Sequence, residues 1–478
     1  MPSSIELNIG HVPSPRRQRD VDDGDAAPFR IVVLGDFSGR PRAERGPLAE
    51  RRPMRVDIDN FEAVFARLAP LAEIAGLQDK MGIALRIELE TMDEFSADAV
   101  LARLPAQALA RTAAPLSVPP VPADAPDAED AAAMMKRLLG GELPAGAPAL
   151  AAAPAARKPD DAVDRFIRQL VGNQVAPPPA PVASAGSNDA AAALLRHVLR
   201  DPAWRHLECA WRAVDRFVRE LDMADGEVRL ELLDCRADEL FADLSASADD
   251  PTHAALTPVL KGDGRGCDLV VSLEEFGPSL AELSLLGGLA AVATAQGAVL
   301  LAGAAPALAA VATSDDTQVL ASNESRVWRA LRDSALAPHV GLTFPRLLAR
   351  LPYGPRNDPV AAFPFDELAG APAGSPHDHL VWRSAALDAA LLLAQGHGQG
   401  GVETLVQMEG LPAFVDRSGD EPRLQAVAEA YLGEREATVL QSAGLITLQS
   451  DRRVPNARVS GWHSIAASRA DLRGSWRA

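Results

Sequence analysis

Residues 29–39 read Phe29-Arg-Ile-Val-Val-Leu-Gly-Asp-Phe-Ser-Gly39, an apolar run that ends in small and polar residues. This pattern predicts a buried β-strand that enters a turn. Phe61, Val64, Phe65 and Leu68 follow at helical spacing, and they predict a helix that ends at the next proline. The chain therefore opens its first folded unit with a strand and a helix.

The same unit continues with a second strand and a second short helix. Residues 84–90 alternate apolar and charged side chains, as a half-exposed strand does. Ser96 is a suitable N-cap for a helix that ends near Leu104. Residues 28–104 are thus predicted to form a small α/β domain.

A second α/β domain is predicted over residues 188–478. Its strands and helices alternate, which indicates a parallel or mixed sheet with helices on its faces. The predicted helices are 188–199, 203–221, 280–295 and 379 to about 395, with a break at Asp201-Pro202, and the predicted strands are 228–233, 267–271 and 297–302.

The remaining residues form an arm and a linker. Residues 105–187 are rich in alanine and proline and predict a linker. Residues 130–139 and 160–171 have helical spacing within it, and each is either a docking helix or a transient one. Residues 1–27 predict a disordered arm, in which basic residues at 16–19 precede an acidic run at 20–25.

Composition excludes several classes of protein. The chain has 478 residues, a formal net charge of −18 and 47% hydrophobic residues. A strongly acidic chain is not expected to bind nucleic acid or an anionic membrane surface. Three widely spaced cysteines and the lack of an apolar leader favour reduced thiols in the cytoplasm. The apolar stretch 283–311 is interrupted by glycine and proline, so it predicts helix, turn and strand rather than a membrane span.

No common catalytic motif is present, because phosphate loops, nucleophile elbows and zinc helices are all lacking. Gly396-His-Gly-Gln-Gly-Gly401 follows a helix and therefore indicates a helix end rather than a phosphate cradle. His377 and His379 lack further local metal ligands and indicate a surface turn. Asp36, with Asp57 and Asp59, indicates capped backbone amides. We expect no catalytic residue, no metal and no cofactor.

One segment needs a further explanation. Gly341-Leu-Thr-Phe-Pro-Arg-Leu-Leu-Ala-Arg-Leu-Pro-Tyr-Gly354 places two arginines and a tyrosine in an apolar stretch. On a helical turn, Arg346 and Arg350 would share a face and could form bidentate ion pairs with carboxylates at an interface. The alternative is a pair of solvated arginines on a surface helix.

This segment, with Trp328-Arg-Ala-Leu-Arg332 before it and Phe365-Asp-Glu367 after it, resembles the large sheath subunit (TssC) of type VI secretion systems. The family pattern has W-x-x-L-R, then V-G-L-x-x-P-R-x-L-x-R-x-P-Y-G, then F-x-E. Residues 202–212, with two tryptophans, resemble a helix of the same subunit. The small subunit (TssB) is resembled by Val33-Leu-Gly-Asp-Phe-Ser-Gly39 and by residues 48–61 and 89–100.

The resemblance implies a structural protein, an α/β fold of two sheath-type units and a role without catalysis. Its partners would be other copies of the chain or type VI sheath subunits, with inner tube or baseplate proteins as further partners, and no nucleic acid or membrane insertion. The residues expected to serve packing and assembly are Trp204, Trp211, Trp328, Arg332, Arg346, Arg350 and Tyr353.

Departures from the family pattern leave two functions open. The linker replaces the C-terminal region of the small subunit, and the chain ends at Ala478, before the usual end of the large subunit. The strands that interlock neighbouring subunits are therefore expected to be missing. Arg383 also replaces a family glycine. The chain is either a fused sheath protomer that assembles into or onto a contractile sheath, or an accessory protein that binds a sheath end, baseplate or inner tube.

Overall fold

A computed structural model of the chain describes residues 28–74, 85–104, 185–223, 226–262, 264–371, 377–399, 407–413, 415–416, 423–424, 426–451, 453–468 and 470–474. The predicted arm and most of the predicted linker, including its two short helices, lie outside these ranges. Below, residues 28–104 are called the first segment and residues 188–478 the second segment.

The described residues form strands and helices that alternate along much of the chain. The strands are β1 Phe29–Gly35, β2 Met54–Val56, β3 Leu71–Ile74, β4 Leu85–Glu88, β5 Val228–Asp234, β6 Leu269–Phe276, β7 Val299–Ala304, β8 Val340–Phe344, β9 Leu347–Leu348, β10 Trp382–Arg383, β11 Gln407–Met408, β12 Val415–Asp416, β13 Arg423–Leu424, β14 Leu445–Ser450 and β15 Ala457–Ser460. The helices are α1 Phe61–Leu68, α2 Ala97–Arg103, α3 Ala185–Arg200, α4 Pro202–Glu220, α5 Ala237–Ala246, α6 Leu256–Lys261, α7 Leu280–Ala295, α8 Pro306–Ala312, α9 Thr317–Ala321, α10 Asn323–Arg332, α11 Ala386–Gln399 and α12 Glu434–Ser442.

Within these ranges, nine strands form one mixed sheet in the order β11-β15-β14-β8-β7-β6-β1-β5-β2. Strand β1 pairs in parallel with β5 on one side and with β6 on the other. Both neighbours belong to the second segment, so the first segment supplies an inner strand to a sheet that the second segment mainly builds. The predicted α/β class, with a mixed sheet flanked by helices, is confirmed, and the shared sheet is an added finding. The predicted domain boundaries stay predictions.

The sequence of β1 suits its inner position. Phe29, Ile31 and Val33 face one apolar core, and Val32 and Leu34 face the other. A strand that is buried on both faces carries an almost continuous apolar run, because neither face meets water. This explains the unbroken run that marks the strand in the sequence.

Helices cover both faces of the sheet. The core that contains Ile31 also contains residues of α4 and α11, such as Trp211 and Leu387. The opposite core contains residues of α7 and α10, such as Leu286 and Trp328. The arrangement is therefore a three-layer stack with a core on each side of β1.

Several predicted elements are confirmed. Helix α3 ends at Arg200, and the side chain of Asp201 accepts a hydrogen bond from the backbone of Ala203 (2.9 Å) to cap α4. The predicted helix at 280–295 matches α7. Ser96 caps α2 by accepting a hydrogen bond from the backbone of Ala99 (3.4 Å).

The helix predicted from His379 to about Gln395 is wrong at both ends. Trp382–Arg383 is extended and pairs antiparallel with Leu347–Leu348, and α11 runs from Ala386 to Gln399. This pairing joins residues far apart in sequence, so local periodicity does not reveal it. The predicted glycine loop at 396–401 is helical as far as Gln399, and the remaining two residues lie outside the described ranges.

The apolar stretch at 283–311 forms most of α7 and then β7, as predicted from its interruptions, and it continues into α8, which was not predicted. In the ranges given above, no helix has both the length and the apolar character that crossing a bilayer requires.

Candidate interface between the two segments

Helix α4 presents two tryptophans to the first segment. The ring of Trp211 lies 4.5 Å from that of Phe65 and 5.8 Å from that of Phe61, measured between centroids. The ring of Trp204 lies 5.3 Å from that of Phe95. Such pairs add about 0.5–1.5 kcal/mol each beyond the apolar area they bury. The two tryptophans are therefore held against aromatic side chains of the other segment.

Trp211 also makes a polar contact across this boundary. Its indole Nε1 donates a hydrogen bond to the carbonyl oxygen of Phe37 (2.9 Å), and both residues are fully buried. A buried indole N–H without an acceptor would cost free energy. This bond gives the N–H its acceptor and also fixes the orientation of the ring. The contact ties α4 to the turn that follows β1.

That turn is held by carboxylates from both segments. Asp234, at the end of β5, accepts hydrogen bonds from the backbone of Phe37 (2.8 Å) and Ser38 (2.9 Å). Asp36 accepts a bond from the backbone of Gly39 (2.7 Å), and Arg45 pairs with both aspartates. Asp36 therefore caps amides, as the sequence indicated.

Gly39 is required in this turn. Its φ is +61°, and a Cβ there would clash with the carbonyl oxygen of Leu71. A left-handed conformation with no room for a side chain favours glycine. An added Cβ would also meet the side chain of Leu207, so glycine lets the turn pack closely against both β3 and α4.

A second ion pair joins the segments nearby. Arg51 makes a bidentate contact with Glu239 of α5, with N–O distances of 2.7 and 2.9 Å. Its guanidinium also donates to the carbonyl oxygen of Asp234 (2.9 Å). Paired planar contacts of this kind fix orientation as well as charge.

Arg350 lies at the centre of a buried cluster. Its guanidinium contacts Glu208 (2.6 Å) and makes a bidentate contact with Glu367 (2.7 and 3.0 Å). The side chain of Arg350 is 6% exposed and both carboxylates are 0% exposed. Burial acts to raise the pKa of Glu208, but Arg350 and Arg212 outweigh it, so the pKa is lowered. Glu208 therefore stays ionised and paired with Arg350.

Tyr353 connects this cluster to the first segment. Its hydroxyl donates to the carbonyl oxygen of Phe95 (3.2 Å), and its backbone N–H donates to Glu367 (2.9 Å). The guanidinium of Arg350 lies 4.3 Å from the centre of its ring, a distance that suits a cation–π contact. Tyr353 is thus shared between the buried ion pairs and the boundary.

Arg346 forms a different, more exposed cluster within the second segment. It makes a bidentate contact with Glu429 (2.6 and 2.7 Å) and a longer one with Glu275 (3.4 Å). His377 contacts Glu429 at 3.1 Å. The segment from Arg346 to Arg350 is extended through β9, so the prediction of a helical turn is wrong. Each arginine has its own bidentate partner.

The carboxylates around Arg346 have opposite pKa shifts. Burial raises the pKa of Glu275 to about 7, despite the nearby Arg346. Burial acts in the same direction on Glu429, but hydrogen bonds from Arg346 and His377 outweigh it and hold its pKa at about 2. The hydrogen bond to Glu429 raises the pKa of His377. One of the two carboxylates is therefore poised to titrate near neutral pH.

Trp328 and Arg332 lie on α10, away from the first segment. Trp328 is 2% exposed in the core beneath the sheet. Arg332 donates to the carbonyl oxygens of Ile465 (2.8 Å) and Ser442 (3.0 Å). Arg332 therefore ties α10 to the end of α12 and to the chain after β15. The assembly role expected of all seven residues stays a prediction.

Several residues at the boundary were missed. Glu208 lies at the same helical spacing as Trp204 and Trp211, so a carboxylate on the apolar stripe of α4 was a usable signal. Arg383, the departure from the family glycine, is buried and pairs with Asp388, which also accepts a bond from Arg216 (3.1 Å). Arg383 and Asp388 are only five residues apart, but Glu208 lies 142 residues from Arg350 and Asp388 lies 172 residues from Arg216, so spacing does not identify those two pairs.

The histidines and cysteines that could have served as metal ligands or nucleophiles have no such arrangement in the described residues. His377–His379 forms a short turn, and the described residues hold no group of three or more metal-ligating side chains arranged around a common point. Burial raises the pKa of Cys209 and of Cys267 to about 12, which makes both thiols poor nucleophiles at neutral pH.

Comparison with known families agrees with this division of the chain. Residues 188–466 match the VipB family, described as EvpB/VC_A0108, tail sheath N-terminal domain. Residues 18–112 match the family described as Type VI secretion system, VipA, VC_A0107 or Hcp2. The two matches fall on the second and the first segment.

Two curated relatives come from Pseudomonas aeruginosa. Type VI secretion system sheath protein TssC1 is 26% identical over 294 residues, which cover 56% of this chain and 57% of that protein. Sheath protein TssB1 is 32% identical over 76 residues, which cover 15% of this chain and 44% of that protein. The chain thus spans about half the length of each relative.

A single sheet built from two segments, each similar to a different sheath protein, defines the class as type VI secretion sheath components. The chain belongs to the VipB tail sheath family, and it carries a VipA-like segment before the VipB-like one. This is a family of structural sheath proteins rather than of enzymes, and sheath proteins assemble with other sheath subunits. The recognition of a TssB-like segment joined to a TssC-like segment is confirmed.

Proposed function

We propose that this chain is a single-chain sheath protomer that assembles into or onto the contractile tail sheath of a type VI secretion system. The observation that carries the proposal is the position of β1 of the first segment between β5 and β6 of the second. An inner strand cannot leave without exposing two rows of backbone hydrogen-bonding groups and two apolar cores. The small-subunit part is thus a permanent piece of the protomer.

Covalent linkage suits this arrangement. Two segments on one chain meet at a high effective concentration, so neither has to find its partner by diffusion. Buried ion pairs and aromatic contacts then align the shared sheet. The protomer would act in the cytoplasm without catalysis, with copies of itself or other sheath subunits as partners.

The second candidate is an accessory protein that binds a sheath end, the baseplate or the inner tube without forming long tubes. It is supported by the position of the seven residues expected to serve assembly. Five of them are buried, and Arg332 and Arg346 are half-buried. The contacts described above for all seven are made within the chain. Assembly contacts would then have to come from other surfaces.

Negative-stain electron microscopy and light scattering of the purified full chain separate these functions. Tubes or rings that form on concentration at physiological salt would support the sheath protomer. A stable monomer or small closed oligomer would support the accessory protein.

A cleavable chain tests the permanent association of the segments. A protease site inserted after Leu150 allows the linker to be cut in the folded protein. We expect the two fragments to co-elute in size exclusion, and Trp211→Ala to promote their separation. Fragments that separate in the otherwise unchanged sequence would contradict the proposal.

A further inference from the structure

A basic cavity lies by the amino ends of β1, β5 and β6. Its volume is about 650 Å³, and Pro28, the residue before β1, is part of its wall. The cationic side chains that line it are Arg30, Arg52, Arg229, Lys261 and Arg265, and the carboxylates are Glu231 and Asp268. We call this site the basic basin.

The carboxylates of the basin are already engaged. Glu231 is 2% exposed and forms ion pairs with Arg30 (2.6 and 2.9 Å) and Arg229 (2.6 Å). Asp268 accepts a hydrogen bond from the backbone of Arg30 (2.9 Å). Two of the five cations therefore already share the most buried carboxylate.

The other three cations face the opening. Arg52, Lys261 and Arg265 are exposed, and no carboxylate of the described ranges lies within ion-pair distance of them. The guanidinium of Arg52 reaches only backbone carbonyl oxygens, of Ala49 (3.3 Å) and Arg51 (3.1 Å). Asp263, between Lys261 and Arg265 in the sequence, lies outside the described ranges. Within those ranges, three exposed cations stand together in a chain whose net charge is −18. Such a cluster attracts an anionic partner.

Arg30 holds the rim of the basin in place. Its guanidinium donates to the carbonyl oxygens of Leu260 and Gly266 (2.9 Å), at the two ends of the loop that carries Lys261 and Arg265. The side chain of Arg30 is 13% exposed, and its other nitrogens bind Glu231. The two loop cations are therefore presented from an anchored loop.

The sequence places a suitable occupant next to this cavity. Residues 20–25, Asp-Val-Asp-Asp-Gly-Asp, contain four aspartates and lie outside the described ranges. Asp25 is three residues from Pro28, so a span of at most about 10 Å connects the acidic run to the basin wall. A short tether gives an effective concentration in the millimolar range.

We propose that the acidic run at residues 20–25 docks into the basic basin of its own chain. Its aspartates would pair with Arg52, Lys261 and Arg265, and the docked run would cover the amino ends of β1 and β5. A second copy or another acidic protein could occupy the basin only by displacing it. The proposal concerns the isolated chain and does not depend on sheath assembly.

Zero-length coupling with a carbodiimide tests the contact directly, because it joins an amine to a carboxylate only where they touch. We expect mass spectrometry of the full chain to find Lys261 coupled to an aspartate of residues 20–25, with a yield that falls in about 1 M salt. In an equal mixture of ¹⁵N-labelled and unlabelled chains, the two coupled peptides should always carry the same label, because the contact lies within one chain. Failure to couple, or mixed-label products in the statistical proportion, would overturn the proposal.

Displacement by a probe peptide gives an independent test. The probe is a fluorescent peptide of residues 18–27, added to the full chain and to a full-length variant with Asp20→Asn, Asp22→Asn, Asp23→Asn and Asp25→Asn. We expect the variant to bind the probe at least about tenfold more tightly than the unchanged chain, because its own run no longer competes. Equal affinities would overturn the proposal, as would binding of inorganic phosphate without binding of the peptide.

Matched charge changes complete the design. In the asparagine variant, Arg52→Gln, Lys261→Gln and Arg265→Gln should abolish probe binding and leave thermal stability unchanged, since these side chains are exposed and make no ion pair in the described ranges. Arg67→Gln, Arg435→Gln and Arg458→Gln remove the same charge from exposed positions elsewhere. An equal loss of binding in that control would show non-specific attraction and overturn the proposal.

Discussion

The clusters around Arg350 and Arg346 are built alike and differ in burial. The two arginines are four positions apart, one on each side of β9, and each makes a bidentate contact with a glutamate. Arg350 is 6% exposed beside two fully buried carboxylates, whereas Arg346 is 26% exposed. In the buried cluster every charge depends on its partner. In the open one, Glu275 has only a 3.4 Å contact with Arg346, and burial raises its pKa to about 7.

Arg350→Met should have the largest effect on stability. It leaves the carboxylates of Glu208 and Glu367 buried without their main partner, which costs about 3–5 kcal/mol. Urea unfolding followed by circular dichroism measures the loss. Adding Glu208→Gln and Glu367→Gln should restore much of it, because the uncompensated charges are then gone. A loss below about 1 kcal/mol for the single variant would show that the cluster is not a dependent unit.

Arg346→Met should cost less, about 1–3 kcal/mol, because water reaches this cluster and His377 still contacts Glu429. The same unfolding experiment measures it. Glu429→Gln in the same chain is the matched control and should recover most of the loss. If Arg346→Met is as costly as Arg350→Met, exposure does not explain the difference between the clusters.

Glu275→Gln should change how stability depends on pH. The ordinary pKa of glutamate is 4.5, and burial raises that of Glu275 to about 7 in the folded chain. Between pH 4.5 and 7 the unfolded chain has lost this proton while the folded chain keeps it, so its contribution to stability falls as pH rises through that window. We compare the free energy of unfolding of Glu275→Gln with that of the unchanged chain at each pH. This difference should shift in favour of the variant by on the order of 1–2 kcal/mol between pH 5 and pH 8.

Thermal and urea unfolding at several pH values check this expectation. The matched control is Glu62→Gln, at an exposed position of α1, which removes the same charge outside the Arg346 cluster. The Arg350 cluster should show no such dependence between pH 5 and 8, because Arg350 and Arg212 keep the pKa of Glu208 low. Parallel pH profiles for the unchanged chain and Glu275→Gln would contradict the assigned titration.

The sequence predicted the elements whose signals are local. The apolar run of β1, the amphipathic spacing of α4 and the Asp201-Pro202 break all arise within a few residues. The start of α11 was wrong because Trp382–Arg383 becomes a strand only by pairing with Leu347–Leu348. Local patterns do not encode such partners.

The candidate interface was predictable in its residues and not in its geometry. Arg350 and Tyr353 stood out as polar side chains in an apolar stretch, and Trp211 stood out through the resemblance of residues 202–212 to the large sheath subunit. Their partners did not, because Phe95 is separated from Tyr353 by 258 residues and Glu208 from Arg350 by 142 residues. The insertion of β1 into the sheet of the other segment has the same cause: strand order depends on long-range pairing that spacing cannot supply.

Tyr353→Phe should give the smallest effect and is the most specific probe of the link between the Arg350 cluster and the first segment. It removes one hydroxyl, which donates to the carbonyl oxygen of Phe95 (3.2 Å), and keeps the ring beneath the guanidinium. We expect a loss of about 1 kcal/mol in urea unfolding, since a buried carbonyl loses its donor. Tyr431→Phe removes the same hydroxyl from a side chain of the second segment that is 42% exposed, and it is the matched control. In the chain cut after Leu150, Tyr353→Phe should also weaken the association of the two fragments, whereas Tyr431→Phe should not. A stability loss without weaker association would place the role of the hydroxyl inside the second segment, and the buried cluster would then stabilise that segment without joining it to the first.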